Sequence, residues 1–481
     1  MLIDKSLNTP LYIQLYNNIK DMIEKEQIEE GEKLPSIRSL AKKLEVNNIT
    51  IVNAYNLLEQ EGYVYSIKGS GTYVRRPNYN IDLPYIEDGD IELMIGGVLP
   101  ISKDSINFAT VSPTPEIFPI TQFKQSLIEV LDRDKGNAFL YPEINGYEPF
   151  RESICNFLQE NYSMTVSKDQ IQVISGGQQG IDIITKALIS QGDTILVENP
   201  TYSGAIAAFQ SRGAKIIGVP MEKGGMDLEI LNRYIKRYNP KFIYMMTNYQ
   251  SPTTYCYSEN KKRELIALSK KYDFYIIEDD FLTDLNYDED KKLPLKSMDH
   301  MDKVIYIKSF SKIFMPGVRI GFMIVPDRLF KDIVKAKHTT DISSSGFLQR
   351  AFDLYLRKGY WKNHMETIKE VYTDKYTTMV EQLERLKKYN ISFVEPKGGL
   401  SIWAKLPEEM DAIDLYDECG ENNVAIVPGK IFFINDSIYS NYIRLSFGAI
   451  SNEEIVKGVK IIENSIKKLY KSDNNKYLPF V

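Results

Sequence analysis

The segment from Ser309 to Arg319 contains the residues of this chain that are best suited to covalent chemistry. Lys312 follows two serines, Ser309 and Ser311, and precedes Arg319 by seven residues. A lysine amine can join an aldehyde as a Schiff base, and serine hydroxyls and an arginine fork can bind a phosphate. The combination predicts a site for an aldehyde cofactor that carries a phosphate, such as pyridoxal 5′-phosphate (PLP) attached to Lys312.

A glycine-rich segment upstream offers further ligands for a phosphate. Gly177 and Gln178 belong to Ser175-Gly-Gly-Gln178, which opens a predicted helix. The N–H groups and the dipole at the start of a helix attract a phosphate. We expect Ser309 and Arg319 to complete this cradle.

Three more side chains suit the remainder of such a cofactor and its substrate. Tyr202 offers an aromatic face for the pyridine ring. Asp279 is our choice for the carboxylate that keeps the pyridine nitrogen protonated, with Asp280 as the second choice. Arg444 is placed to bind the carboxylate of a substrate or effector. Taken singly, each feature also has a structural explanation, such as a glycine turn, a helix cap or a solvated loop.

The elements that must position these side chains alternate between apolar runs and helical segments from Ile106 onward. This alternation predicts an α/β domain with a mostly parallel sheet, in which sites form where the strands end. The chemically marked residues are expected to follow the predicted strands. These strands are Gln172–Ile174, Thr194–Val197, Lys215–Val219, Phe242–Met246, Phe274–Ile277 and Val304–Ile307.

The first 76 residues follow a different pattern. Apolar spacing predicts a helix over 11–26, a second helix that Ser36 can cap, and a third that Asn47 or Asn48 can cap. Two short strands are predicted around Lys68-Gly-Ser-Gly71. Two short helices with a tight turn and a β-hairpin describe a winged helix-turn-helix, although helical periodicity alone would also fit a small helical adaptor.

The motifs of this segment resemble the GntR-type DNA-binding domain. They are Leu34-Pro-Ser-Ile-Arg-Ser-Leu-Ala41, Val46-Asn-Asn-Ile-Thr50, Ala54-Tyr-Asn-Leu-Leu-Glu-Gln-Glu-Gly-Tyr63 and Gly69-Ser-Gly-Thr-Tyr-Val74. The resemblance implies that the third helix enters the major groove and that the hairpin tip approaches the minor groove. The residues expected at the DNA are Ser36, Arg38, Asn47, Asn48, Thr50, Lys68 and Gly69.

One departure from the family concerns the start of the third helix. The family usually has Ser-Arg where this chain has Asn47-Asn48. The missing arginine removes a reader of guanine, whereas asparagine can pair bidentately with adenine. We therefore predict an operator that is richer in A/T.

Charge and composition separate the two halves. Residues 1–76 contain ten Lys/Arg and ten Asp/Glu, whereas residues 77–105 contain one Lys and six Asp/Glu. No apolar run approaches the ~20 residues that span a bilayer, and three distant cysteines suit a reduced cytoplasm. Three scattered histidines argue against a histidine-rich metal site. The predicted organisation is a DNA-binding domain over 1–76, an acidic linker over 77–105 and a PLP-binding domain over 106–481.

The second half resembles fold-type I aminotransferases over about Ile106 to Tyr470, and the whole chain resembles the MocR subfamily of GntR-type regulators. The resemblance implies a PLP-dependent transcriptional regulator that binds double-stranded operator DNA as a head-to-tail homodimer. PLP, or an amino compound that reacts with it, would be the effector. The matching stretches are Tyr141-Pro-Glu-Ile-Asn-Gly146, Ser175-Gly-Gly-Gln-Gln-Gly180, Gln250-Ser-Pro-Thr253, Ile276-Ile-Glu-Asp-Asp280, Ser309-Phe-Ser-Lys312, Pro316-Gly-Val-Arg319 and Ile443-Arg-Leu-Ser446.

Three departures bear on activity. Phe281 stands where the family commonly has a tyrosine, Ser251 replaces an asparagine, and Thr254 replaces a glycine. Because phenylalanine cannot hydrogen-bond to the cofactor, these changes argue against efficient transamination and favour a cofactor kept for sensing. The alternatives are an active aminotransferase with an accessory DNA-binding domain, and a DNA-binding protein with a vestigial PLP site.

Overall fold

The computed structural model describes residues 10–24, 27–28, 31–44, 46–60, 63–67, 71–74, 105–288, 290–434 and 441–476. The chain divides into two compact units, residues 1–85 and 86–481. Apart from its last residue, the predicted linker lies outside the described residues, and so do Lys68 and Gly69.

The smaller unit is a winged helix-turn-helix, as the sequence predicts. Its elements are α1 (Leu11–Glu24), α2 (Ile37–Leu44), α3 (Asn48–Gln60), β1 (Val64–Ile67) and β2 (Gly71–Val74). The two strands pair antiparallel. The helices and the hairpin share one apolar core, which includes Leu15, Ile19, Leu40, Ile51, Leu58 and Val74.

Side-chain caps determine where α2 and α3 begin. The backbone N–H of Ser39 donates to Ser36 Oγ at 3.3 Å, and the N–H of Ile49 donates to Asn47 Oδ1 at 3.1 Å. Each bond satisfies a donor that would have no partner in the first turn of a helix. Asn47 is therefore the cap of α3, and Asn48 is its first helical residue.

The larger unit begins with β3 and alternates helices with strands as far as β11. Its first elements are β3 (Ile106–Asn107), α4 (Ile120–Asp134), α5 (Glu148–Tyr162), β4 (Ile171–Ile174), α6 (Gly177–Leu188), β5 (Thr194–Asn199), α7 (Ser203–Gln210), β6 (Lys215–Glu222), β7 (Gly225–Met226), α8 (Leu228–Tyr238) and β8 (Phe242–Met245). They are followed by α9 (Glu259–Tyr272), β9 (Tyr275–Asp280), β10 (Val304–Ser309), β11 (Gly321–Ile324), α10 (Asp327–Asp341) and α11 (Gly346–Arg357).

The remaining elements form the C-terminal part of this unit. They are α12 (Tyr360–Glu384), β12 (Ser392–Phe393), β13 (Ser401–Lys405), α13 (Ala412–Glu421), β14 (Val424–Ala425), β15 (Val427–Pro428), β16 (Tyr442–Ser446) and α14 (Asn452–Lys476). A four-stranded sheet has the order β12-β13-β16-β15. Separately, β3 pairs with β14, so that the first strand of the unit is held by its C-terminal part.

The main sheet has eight strands in the order β4-β11-β10-β9-β8-β5-β6-β7. The pairs from β10 through β9, β8 and β5 to β6 are parallel. Strands β11 and β7 run antiparallel to their neighbours. The predicted, mostly parallel sheet is thus confirmed. The carboxyl ends of its parallel strands meet at one edge.

Helices cover both faces of this sheet. Ile277 packs in one apolar cluster with Ile181 and Ile333 from α6 and α10. Ile276, its neighbour on β9, packs in another cluster with Leu265 from α9. Because successive strand residues point to opposite faces, both faces must be apolar, and this explains the continuous apolar runs of the sequence.

Some strands extend further than the sequence predicts. Glu198, Glu278 and Asp279 are expected after their strands, yet they lie within β5 and β9. Their carboxyl groups are buried, and hydrogen bonds to neighbouring strands or loops offset the cost of that burial. The apolar pattern that predicts a buried strand does not include such polar residues. None of the described helices is both long and apolar enough to cross a membrane.

Candidate functional site

The marked residues of the larger unit lie at the carboxyl edge of the main sheet. Gly177 begins α6 directly after β4, and Tyr202 precedes α7 after β5. Asp279 is near the end of β9, and Lys312 lies in the turn that follows β10. Because these strands are parallel, residues that are far apart in the sequence meet at one place.

Lys312 is a largely buried amine without a counter-ion. Among the described residues, none forms a hydrogen bond or an ion pair with its Nζ. Burial, followed by the positive charges of Arg444 and Arg319, lowers the pKa of Lys312 to about 8. At pH 7 about a tenth of an amine with this pKa is unprotonated, far more than for an ordinary lysine. The unprotonated form is the one that attacks an aldehyde.

The start of α6 meets Arg319. A Cβ on Gly176, which has a φ of 111°, would lie 2.7 Å from a terminal nitrogen of Arg319. A Cβ on Gly177 would lie 3.7 Å from both Ser309 Cβ and Asp279 Oδ1. Glycine at position 176 therefore lets the Arg319 guanidinium approach the start of the helix closely, whereas a Cβ at position 177 would make ordinary contacts with Ser309 and Asp279. Arg319 also donates to Ser311 Oγ at 3.3 Å.

Asp279 and Asp280 have different surroundings although they are adjacent. Asp279 accepts from the Tyr244 hydroxyl at 2.7 Å through Oδ2, and its other oxygen is the one that lies near Gly177. Burial raises the pKa of Asp279 to about 6, which the Tyr244 bond partly opposes. The Asp280 carboxylate is engaged by Tyr306 at 2.5 Å and by Lys308 at 3.2 Å. Asp279 therefore has an oxygen available to a ligand, whereas Asp280 is part of the internal structure.

Lys308 is the centre of a buried ionic network on the opposite face of β9 from Tyr244. Its Nζ lies 2.6 Å from Asp284 Oδ2 and 3.2 Å from Asp280 Oδ1, and it donates to the Tyr162 hydroxyl at 2.9 Å. Although burial lowers the pKa of Lys308, the two carboxylates outweigh it and the pKa is raised. Lys308 therefore remains charged and is not available for covalent chemistry.

Tyr202 and Gln178 hold each other at the rim of the site. The Tyr202 hydroxyl donates to Gln178 Oε1 at 3.0 Å, and Gln178 Nε2 donates to the Gly204 carbonyl at 2.9 Å. Burial raises the pKa of Tyr202, the charge of Asp279 raises it further, and Arg444 opposes the shift. The ring is thus fixed within electrostatic range of both charged residues.

Arg444 is a guanidinium whose bonding capacity is only partly used. One terminal nitrogen donates to the Ala109 carbonyl at 2.6 Å, while its buried Nε has no hydrogen-bond partner among the described residues. The guanidinium carbon lies 5.2 Å from the centre of the Phe432 ring, and burial lowers the pKa of Arg444 to about 10. A buried guanidinium without a carboxylate favours an anionic ligand.

The sequence predictions assigned no role to two groups that support the site. Tyr244, which bonds to Asp279, belongs to an apolar run of β8 that carried no chemical signal. The second group is the Glu198 carboxyl, which accepts from Gln250 at 3.1 Å and Tyr257 at 2.8 Å. Burial raises the pKa of Glu198 to about 8. Gln250 also donates to the Pro200 carbonyl, so that it joins the loop after β8 to the end of β5 and the loop that follows.

The structure describes the surroundings of the three residues that depart from the family pattern. Phe281 is partly buried and packs against the apolar clusters on both faces of the sheet. Thr254, which stands where the family has glycine, has a φ of 62°. A β-branched residue rarely adopts this conformation. Ser251 is half-buried.

The candidate DNA-contacting residues of the smaller unit differ in how available they are. Arg38, Asn47 and Asn48 are exposed, whereas Thr50 is half-buried. Ser36 and Asn47 use their side-chain oxygens as helix caps. Lys68 and Gly69 fall outside the described part of the chain.

Two family models match the chain. The model for aminotransferase class I and II matches residues 105–462, and the model for bacterial regulatory proteins of the gntR family matches residues 11–74. Together they cover both units.

Similar proteins include both enzymes and regulators. Aromatic-amino-acid aminotransferase 1 of Thermococcus litoralis is 31% identical over 76% of this chain and 89% of that protein. The uncharacterized HTH-type transcriptional regulator YdfD of Bacillus subtilis is 29% identical over 97% of this chain and 98% of its own length. The crystal structure of Pyrococcus horikoshii kynurenine aminotransferase in complex with PMP has a TM-score of 0.74 and 30% identity, and covers 79% of this chain and 94% of that chain.

Proposed function

Because the chain belongs to the class I and II aminotransferase family and carries a gntR-family domain ahead of it, in the two-domain form of MocR-like regulators, we propose that it is a transcriptional regulator controlled through a PLP site. The proposal rests above all on the fusion of these two domains, since an enzyme alone has no use for the first. The smaller unit binds double-stranded operator DNA, and the larger unit binds PLP as a Schiff base with Lys312.

The residues at the sheet edge fit PLP in charge and in hydrogen-bonding groups. The start of α6, with Gly177 and Gln178, would hold the phosphate together with Ser309 and Arg319. Asp279 would accept a hydrogen bond from the pyridine nitrogen through its free oxygen, while Tyr244 holds the other. Among the described residues, no carboxylate forms an ion pair with Lys312, Arg319 or Arg444, as expected of a site that receives an anionic cofactor.

Each residue has a task that follows from its surroundings. Lys312 loses its proton more readily than an ordinary lysine because burial and two neighbouring guanidiniums lower its pKa. When bound, PLP withdraws electrons from an amino compound that joins it. Arg444 binds the carboxylate of that amino compound through the nitrogens that Ala109 does not occupy. The effector is therefore PLP itself or an amino compound with a carboxylate.

A second copy of the chain completes the assembly. Phe139, Leu140 and Tyr141 are 68%, 63% and 81% exposed, and Phe347 stacks on Phe139 with ring centres 5.3 Å apart. A group of exposed apolar side chains of this kind supports a partner subunit. A homodimer would also present two DNA-binding units to paired half-sites in the cytoplasm.

The competing function is an active aminotransferase with an accessory DNA-binding domain. Two of the relatives that match the larger unit are named as aminotransferases. Phe281 and Ser251 count against it, because the first cannot hydrogen-bond to the cofactor and the second stands where the family has an asparagine. Repeated turnover of an amino donor with 2-oxoglutarate would support this alternative.

The experiment that tests the proposal is a titration of the PLP-free, full-length protein with PLP in the presence of DNA from directly upstream of its own gene. We expect PLP to change the DNA affinity of the wild type and of Lys331→Ala, which removes an exposed lysine. Lys312→Ala should bind the DNA, ignore PLP and yield no borohydride-reducible adduct. A reducible adduct in Lys312→Ala would refute the lysine assignment. DNA binding that is indifferent both to PLP and to carboxylate-bearing amines would refute control through this site.

A further inference from the structure

The solvent-facing side of α3 has an unusual composition. Asn48, Ile49, Asn53 and Asn56 are exposed, whereas Ile51 and its apolar neighbours on the other side fill the core. Residues 47–56 include no Lys, Arg, Asp or Glu. The surface that a recognition helix would insert into the major groove is thus made of amides and one large aliphatic side chain.

Packing does not explain Ile49. Its side chain is 64% exposed and stays outside the apolar core, although Ile51 two residues later is fully buried. It lies in the first turn of α3, and the N-terminal residues of a recognition helix are the ones that reach the base edges. In the major groove, the apolar group on a base edge is the C5 methyl of thymine, and aliphatic side chains read it by contact.

The neighbouring asparagines favour the same base pairs. Asn47 uses its side-chain oxygen to cap α3, so it cannot offer both amide atoms to a base. Within the described part of the chain, the side chains of Asn48 and Asn53 form no hydrogen bond. A free asparagine amide matches N6 and N7 of adenine, whereas guanine is read mainly by Arg or Lys and cytosine by Asp or Glu.

Phosphate contacts can come from a different element. Arg38, Lys42 and Lys43 are exposed on or near α2. They supply positive charge to the DNA backbone, and this attraction does not depend on base sequence. The division leaves α3 free to read bases without charged groups.

We infer that Ile49 is a specificity-determining residue that reads thymine through its 5-methyl group, with Asn48 and Asn53 reading adenine beside it. The inference rests on the proposed function in requiring that the smaller unit binds operator DNA. It extends the predicted A/T preference to a named chemical group and moves the amide contacts away from Asn47.

The test removes only the methyl group. Duplexes are selected from a random-sequence library with the full-length protein, and each thymine is then replaced in turn by deoxyuridine, which pairs normally but lacks the methyl. We expect one or two positions in each half-site at which wild-type affinity falls by about three- to tenfold, the effect of removing one buried methyl contact. Ile49→Ala should weaken binding to the thymine duplex by a similar factor and lose its sensitivity to uridine at those positions. Ile49→Val, with one methylene fewer, should retain part of that sensitivity.

Lys42→Ala is the matched control. It should weaken binding to thymine and uridine duplexes equally and reduce the dependence of affinity on salt. Unchanged affinity after every uridine replacement, or an Ile49→Ala protein that remains sensitive to uridine, would overturn the inference while leaving DNA binding intact. Failure to enrich any duplex would instead overturn the regulator proposal, and this inference with it.

Discussion

The DNA-binding unit carries its candidate contact side chains mainly on the surface, whereas the site of the larger unit includes groups that are wholly or partly buried, such as Asp279 and Lys312. Ile49 is 64% exposed, whereas Asp279 is 7% exposed. Exposed groups keep the properties of free side chains, so the groups they can contact can be predicted from residue type and spacing. Buried groups take their properties from neighbours that are distant in the sequence, as Lys312 does from Arg444.

The strongest test of this contrast is Lys308→Met. Removing one partner of a buried ion pair leaves Asp280 and Asp284 without compensation, which should lower the free energy of unfolding of the larger unit by about 3–5 kcal/mol. Both tryptophans, Trp361 and Trp403, lie in this unit, so urea unfolding followed by tryptophan fluorescence reports on it alone. Lys241→Met, which removes a surface pair with Asp193, should cost no more than about 1 kcal/mol. Equal effects of the two substitutions would contradict the buried network.

The second test compares lysine reactivities in the PLP-free protein. Because the pKa of Lys312 is lowered to about 8, about half of its amine is unprotonated at pH 8, roughly 100-fold more than for an ordinary lysine. Arylation by trinitrobenzenesulfonate at limiting reagent, followed by peptide mass spectrometry, should therefore modify Lys312 before the exposed lysines. Its rate should rise with pH and level off above pH 8. A Lys312 rate that still rises steeply between pH 9 and 10, as expected for an exposed lysine, would show that the site does not depress the pKa.

The third test asks whether a substitution in the DNA-binding unit affects only DNA binding and leaves PLP binding unchanged. Arg38→Ala removes an exposed cation from α2 and should weaken operator binding by about 10- to 100-fold, that is by about 1–3 kcal/mol. PLP binding, followed by the absorbance of the bound cofactor, should be unchanged. Arg263→Ala, an equally exposed change in the larger unit, should affect neither. Full operator affinity in Arg38→Ala would remove this residue from the DNA contact surface.

The smallest effect is expected from Asn47→Ala. Loss of the cap should destabilise the first turn of α3 by about 1 kcal/mol, and the amide proton of Ile49, which the cap binds, should exchange faster with solvent. Asn53→Ala, in the middle of the same helix, places a better helix former there and should slow exchange or leave it unchanged. If Ile49 exchange is identical in the wild type and Asn47→Ala, the cap contributes nothing in solution.

The sequence predicts elements more completely than it predicts contacts. The apolar runs locate every parallel strand of the main sheet because a strand covered on both faces must be apolar throughout. The polar ends of β5 and β9 escape that rule, since Glu198 and Asp279 are buried with partners supplied by β8 and its loop. No local pattern in β8 marks Tyr244 as the partner of Asp279, because their meeting depends on strand register.

A similar limit applies to the choice between like residues. Asn47 and Asn48 are both suitable caps by type, and only the backbone geometry shows that Asn47 has this position. The sequence ranks Asp279 above Asp280 by motif alone. The physical difference is that Asp279 has an oxygen available to a ligand, whereas Asp280 forms an ion pair with Lys308 on the adjacent strand.

Successive side chains of β9 point to opposite faces of the sheet, so the position of each residue along the strand decides which face it occupies. Asp279 faces Tyr244 on one side of the sheet, while Asp280 faces Tyr306 and Lys308 on the other. Deleting or inserting one residue ahead of them would exchange the two faces, sending the internally paired carboxylate to the site and the free one into the core. The strand can therefore accept no odd-numbered change in length, so that insertions should be confined to the flanking loops.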